Sequence, residues 1–322
     1  MKKIFLLCIG VLFLMSSCKK SFTVNTDNSS IGKAAEVLLV MDKDVWPDDI
    51  QDSVKKLLTI PQEGLNQAEA MFDVLHIDHD IYTSDKQRHA NIVEFVVSEK
   101  DSIATFSLEH NPYSSPQTYV KIKGNNGKSC LDCFIEHHQE ILSSMYNTDI
   151  EKIQGAYEKI LNVSLQRYIK DKFGILLTVT KDYNIAREGE DFLWLGYRTA
   201  VNDRFLMIYR SDSTILTKET LINDRNRVCR QYIEGHRETI HPIVVEMADY
   251  PLFSYLQIGN KKGAELRGLW ETENDYMGGP FYHFSFINAQ NKCISIDGFV
   301  YAPTEEKRNY LRQVEAIVKS VR

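Results

Sequence analysis

The chain has 322 residues, with 38 Lys and Arg against 44 Asp and Glu for a formal charge of −6, and 43% of it is hydrophobic and 11% aromatic. That apolar share excludes a disordered chain, and the acidic balance offers nothing to attract nucleic acid. The length exceeds what one ordinary domain uses, so two domains or two halves of one are expected.

Lys2 and Lys3 precede an apolar run from Ile4 to Met15 that closes on Ser16, Ser17 and Cys18. The run is shorter than the roughly 20 residues a spanning helix needs, so residues 1–17 read as a signal peptide. Leu14 to Cys18 is similar to a bacterial lipobox, with Met15 where Leu is commoner, which makes Cys18 the expected lipidation site. Each buried acyl methylene contributes about 0.8 kcal/mol, so two or three chains hold a protein firmly on a membrane. Residues 18–33 are polar and without period, and read as a tether. They lack both an Asp directly after Cys18 and an acidic cluster, the retention and surface-export signals of such proteins, so an outer-membrane anchor facing the periplasm is expected. Without Lys2 and Lys3 the mature chain keeps 36 basic residues against 44 acidic, a balance of about −8.

Further along, Glu36 to Met41 reads as a strand and Asp48 to Leu58 as a helix with Ile50, Val54, Leu57 and Leu58 on one side. Between them, Asp42 to Asp48 imitates a calcium loop but places Trp46 and Pro47 where a ligand and a glycine are needed. Phe72 to Ile77, Asn91 to Val97 and Thr118 to Ile122 are further strands of a mixed sheet. Ser129 to Met145 has the spacing of one amphipathic helix, capped by Ser129 with Asp132, and carries His138 on its apolar face as a core histidine. Cys130, Cys133 and His137 share the other flank, where a helix N-terminus lowers thiol pKa values. A metal would need a fourth ligand that the spacing does not supply, so neither metal nor cofactor is expected. Thr148 and Glu151 suggest a second capping box, opening a helix through Tyr168 that stops near Gly174.

The boundary between halves falls there, giving an N-terminal half at 34–172 and a C-terminal half at 173–322. In the second half Gly174 to Thr180, Phe192 to Arg198, Phe205 to Tyr209, Ser254 to Ile258 and Glu265 to Trp270 read as strands, and Lys218 to Ile233 as a helix. His236 and His241 are five apart, the wrong spacing for a zinc-binding helix face. Phe281 to Ile287 and Cys293 to Tyr301 flank Asn288 to Asn291 as a hairpin, and Gly278, Gly279 and Pro280 predict a sharp turn ahead of it. Thr304 to Val321 closes the chain as a helix capped by Thr304, its apolar stripe covering one face of the sheet. The fold class is therefore α+β: mixed or antiparallel sheets covered by amphipathic helices, in two consecutive halves.

The segment Arg267-Gly268-Leu269-Trp270, with Met277-Gly278-Gly279-Pro280-Phe281, Gly298-Phe299-Val300-Tyr301-Ala302-Pro303, Lys307-Arg308 and Glu315-Ala316-Ile317, resembles a Bacteroidota lipoprotein family labelled domain of unknown function 4837. Ile60-Pro61-Gln62, Phe192-Leu193-Trp194-Leu195 and the lipobox extend the resemblance over nearly the whole chain. It implies an envelope location and an α+β architecture, and no reaction or catalytic residue. The turn from Trp270 to Phe281 combines Trp270, Met277 and Phe281 with Gly278 and Gly279 inside a charged rim of Arg267, Glu271, Glu273 and Asp275, the makeup of a contact patch. A non-catalytic module that binds an envelope protein or small ligand there is expected. The alternative is a hydrolase in which Glu271, Glu273 or Asp275 works with a histidine such as His283, which needs those carboxylates to converge in a cleft.

Overall fold

A computed structural model of the chain describes residues 28–98, 100, 103–233, 241–247 and 250–322. The leader, Cys18 and most of the tether lie outside the described residues, as does His236. The described part of the tether expected over 18–33 is held against the folded body: Ser29 bridges Ser115 and Ile31 bridges His89.

The first sheet is built on apolar runs that bury both faces, the signature of parallel strands. Its strands are β1 (Glu36–Val40), β2 (Asp73–Ile77), β3 (Asn91–Val97), β4 (Thr105–His110) and β5 (Thr118–Gly124). They lie in the order β2-β1-β3-β5-β4, all parallel except β4. Helices α1 (Asp48–Leu58), α2 (Gly127–Glu136) and α3 (His138–Glu158) cover one face through Val54, Phe134 and Ile141, packed on Val37, Leu39, Val93 and Val120. The other face carries a smaller cluster of Leu38, Val40, Ile77, Ile92 and Tyr119, against which Tyr82 packs. The single helix expected over 129–145 is broken at His137, whose backbone leaves the helical region at φ −97, ψ 6 and whose ring stacks on Phe106 at 3.8 Å. Asn126, not Ser129, caps α2, accepting the Ser129 N–H at 2.8 Å. Thr148 caps nothing: it lies inside α3, its hydroxyl 2.7 Å from that of Thr118.

The second sheet is antiparallel, with strands β6 (Asn184–Gly189), β7 (Phe192–Arg198), β8 (Asp203–Ser211), β9 (Pro242–Val244), β10 (Leu252–Ile258), β11 (Lys261–Thr272), β12 (Gly278–Ile287) and β13 (Cys293–Tyr301). Their order is β10-β11-β12-β13-β8-β7-β6, with β9 beside β11. Side chains alternate across it. Tyr282, Phe284, Ile294 and Ile296 face α4 (Val163–Phe173) and α6 (Arg308–Val318), while Phe281, Phe299 and Met207 face α5 (Lys218–Tyr232). Because α4 buries Leu165, Ile169 and Phe173 in the C-terminal cluster, the packing boundary lies ahead of it, near residue 160 and not at 172. Gly174 ends α4 in the left-handed region at φ 73. The stretch expected as a strand over 174–180 is extended but joins neither sheet. Leu176 instead exchanges backbone hydrogen bonds with Arg322 at 3.0 and 3.1 Å.

Gly278, Gly279 and Pro280 also differ from expectation. They are part of β12, paired with Glu271, Trp270 and Leu269, and the turn lies earlier, closed by the Thr272 N–H on the Met277 carbonyl at 2.8 Å. Gly279 is required by close approach, since a Cβ there would stand 2.0 Å from the Val300 carbonyl oxygen.

The last helix ties the halves together. It begins at Arg308, not Thr304, and its cap comes from the other half: Glu69 accepts the Lys307 and Arg308 N–H groups at 2.8 and 2.7 Å. Arg312 pairs with Asp149 of α3 and donates to the Met71 carbonyl at 2.6 Å, and Arg308 pairs with Asp73 at 2.7 Å. Glu315, wholly buried, meets Arg267 and Lys319 at 2.7 Å each and accepts the Tyr146 hydroxyl. Burial would push its carboxyl up, but Arg267 and Lys319 override this and hold it at about 2.

Candidate functional site

The structure disperses the expected patch at 267–281. Trp270 is 3% exposed and donates its indole N–H to the Val300 carbonyl at 3.2 Å, and Phe281 is fully buried beside it in the core. Arg267 belongs to the buried pair with Glu315. Met277 packs half-buried against the same core, and Glu273 is drawn sideways to Arg230 at 2.8 Å, an ion pair that lowers its pKa. Glu271 and Asp275 point to solvent. No apolar centre with a polar rim forms there. His283 does not meet those carboxylates, and Glu271 and Asp275 stay apart from it at the surface.

His283 instead lies in a sealed array on the α5 face of the second sheet. Its Nδ1 is 3.1 Å from Asp297 Oδ2, its Nε2 2.7 Å from Ser285 Oγ, and that hydroxyl is 2.7 Å from Ser295 Oγ. Asp297 also accepts from Arg225 Nε at 2.8 Å and from its Nη2 at 3.2 Å. The order Asp, His, Ser is that of a nucleophilic relay. Here His283, Ser285 and Asp297 are all 0% exposed, so no substrate reaches the hydroxyl. Burial would raise the Asp297 pKa, yet Arg225 and His283 outweigh it and hold the carboxylate ionised. The thiols are quiet as well. Cys130 and Cys133 are free, and burial pushes Cys130 up to about 11 and Cys133 upward, so the helix start does not lower either thiol. His138 has its Nε2 on the Leu57 carbonyl at 2.9 Å.

A second polar group opens to solvent, and the sequence reading missed it. The carboxyl ends of adjacent parallel strands bring together Asp42 just after β1, His79 just after β2 and Glu94 on β3, and Lys121 stands opposite Glu94 on β5. Crevices outside the carboxyl ends of parallel strands are where open α/β sheets hold ligands. His79 Nδ1 is 2.9 Å from Asp42 Oδ2, and its Nε2 is 3.3 Å from Glu94 Oε1. Asp42 Oδ1 accepts the His79 N–H at 2.7 Å, which fixes the loop that carries the ring. Glu94 accepts the Tyr119 hydroxyl and lies 3.8 Å from Lys121 Nζ. Burial and this carboxylate together keep the Tyr119 phenol protonated. Beside them Tyr82 buries its hydroxyl without a hydrogen-bond partner, its pKa raised by burial and by Glu94. The side chains of His79, Asp42 and Lys121 are 30%, 33% and 39% exposed and that of Glu94 is 9%, so a ligand reaches the group from the His79 and Asp42 side. Its sequence signal was Glu94, a carboxylate within the run Asn91 to Val97 that is otherwise apolar after its first residue.

Residues 162–320 match the family described as domain of unknown function 4837, and residues 30–158 match a separate family, domain of unknown function 8532. The first match spans the C-terminal half of the chain, so the resemblance covers that half and not nearly the whole chain. The comparison with curated proteins gave no match. Among solved structures, a protein from Bacteroides thetaiotaomicron is similar at 10% identity and a TM-score of 0.25, over 46% of this chain and 44% of its own, so this chain spans less than half of its length. The lipid transfer and protein localization domain of human StarD13 aligns at 12% identity and a TM-score of 0.21, over 49% of this chain and 94% of its own. Human StAR-related lipid transfer protein 5 aligns at 10% and 0.20, over 53% and 97%. Scores this low carry no functional argument.

Proposed function

We propose that the chain is a lipoprotein held on the periplasmic side of the outer membrane through Cys18, and that its folded part is a non-catalytic module for binding a ligand or envelope partner. Supporting the anchor is the placement of Cys18 behind a short apolar leader; among the described residues no helix is long and apolar enough to cross a membrane. The observation that carries the module reading is the contrast between the two histidines. The one hydrogen-bonded to a serine is sealed in the core, whereas the open one, His79, is flanked by carboxylates with no nucleophile against it. A ligand or partner carrying cationic or hydrogen-bond-donating groups suits Asp42 and Glu94. In cells fed an alkynyl fatty acid, label should be lost on Cys18→Ser, and undiminished label would sink the anchor. Crosslinking in whole envelopes should yield a partner band that disappears in a folded Glu94→Gln variant, and an unchanged band would remove this site.

A further inference from the structure

We infer that the surface around Ser29, Arg88 and Tyr113 is the face apposed to the lipid headgroups. This rests on the anchor reading at Cys18. Between Cys18 and Asn28 the chain advances ten residues, which reach at most about 35 Å fully extended. A folded body of this size has a radius of gyration of about 19 Å, so the link is shorter than the body is wide. The side from which the chain emerges must therefore turn toward the bilayer.

That point of emergence is fixed by hydrogen bonds. Ser115 donates its N–H to the Asn28 carbonyl at 2.9 Å, and its own carbonyl accepts the Ser30 N–H at 3.2 Å. Arg88 Nη2 donates to the Ser29 carbonyl at 2.9 Å, and Lys152 Nζ to the Ile31 and Gly32 carbonyls at 2.9 and 2.7 Å. Around these contacts the surface changes character. Ile31 and Tyr113 are each 38% exposed, an aliphatic side chain and a phenol of the kind that settles at a headgroup boundary. Lys33 is exposed and Lys86, Arg88 and Lys152 are close by, with Asp80 and Asp85 as the exposed acidic residues of the same crossing segment. Lys19 and Lys20 add two more cations to the link itself. In a chain that is acidic overall, cations gathered where it meets the bilayer fit anionic headgroup phosphates.

The test uses the acylated full chain, its modification verified by mass, reconstituted into vesicles containing brominated lipids. Tyr113→Trp and Ile31→Trp place reporters on the proposed face, and Tyr276→Trp places one on the fully exposed tip of the β11–β12 turn in the other half. The first two should lose emission to the brominated chains while the third does not. The loss should be larger in phosphatidylethanolamine–phosphatidylglycerol vesicles than in phosphatidylcholine. Equal quenching at all three positions in protein shown to be acylated would overturn the orientation and leave the anchor standing. Quenching that ignores headgroup charge would remove the preference for anionic headgroups. Absence of acylation by mass would instead bring down the anchor reading, and this inference with it.

Discussion

His79 and His283 sit in the same chemistry and in opposite surroundings. Each imidazole has an aspartate on Nδ1 and a second oxygen acid or hydroxyl on Nε2. His283 lies between a sheet and a covering helix, where an ionised aspartate is tolerable only because Arg225 forks onto it. His79 lies past the ends of parallel strands, where water can replace any partner it loses. The lesson is that hydrogen-bond geometry alone does not mark a working site. An arrangement with the connectivity of a catalytic relay is here a packing device, and the looser one is the group able to respond to a ligand.

The largest expected effect comes from breaking the sealed array. Asp297→Ala leaves the Arg225 guanidinium buried and unpaired, which should cost about 3–5 kcal/mol, read as a drop in the urea midpoint. Replacing both partners, as Arg225→Met with Asp297→Leu, should recover much of the loss, because an apolar pair carries no desolvation penalty. An unchanged midpoint in Asp297→Ala would mean that the α5 face is hydrated and that the two histidines do not differ in the way described.

Next in size is an acid transition at the junction of the halves. The folded pKa of Glu315 lies at about 2, below its ordinary 4.5. A depressed carboxyl contributes stability that is fully present above 4.5 and is lost as pH falls toward 2, on the order of 3 kcal/mol for a shift of this size. Stability measured by urea titration at successive pH values should fall through that window, and Glu315→Gln should flatten the fall. Smaller again is Glu69→Ala, which uncaps α6 and should cost about 1 kcal/mol, with both halves still unfolding in one transition.

Much of the architecture could be read from local pattern. Helix α1 and strands β3 and β13 begin and end where expected, because their apolar runs and flanking turns are written in adjacent residues. The break at His137 was hidden because α2 and α3 pack on one cluster, so the apolar period runs through the kink unbroken. Edge strand β4 was missed because its burial is too slight to impose alternation. The role of α6 was only half legible. Its apolar stripe showed, but nothing in adjacent residues marks Arg308, Arg312 and Glu315 as buried, since Asp149, the partner of Arg312, is 163 positions away. The patch at 267–281 failed for a similar reason. Aromatic and glycine residues that suit a contact surface suit equally a strand pair whose backbones nearly touch, and only the register of β11 on β12 decides between them.

The smallest expected change in stability carries the most about function. His79 is part exposed, and its carboxylate partners can turn to water or, for Glu94, to Tyr119 and Lys121. His79→Ala should therefore shift the unfolding midpoint by less than about 1 kcal/mol, the range of a surface ion pair. If the open cluster holds a partner, the same variant should weaken crosslinked recovery, because the ring bridges Asp42, just past the end of β1, and Glu94 of β3. His283→Ala makes the reverse comparison. It leaves a cavity in the core and takes one hydrogen-bond partner each from Ser285 and Asp297, so it should destabilise by a few kcal/mol while the fraction that remains folded recovers partner normally. A folded His79→Ala protein that recovers partner as well as the unaltered chain would erase the functional difference drawn between the two histidines.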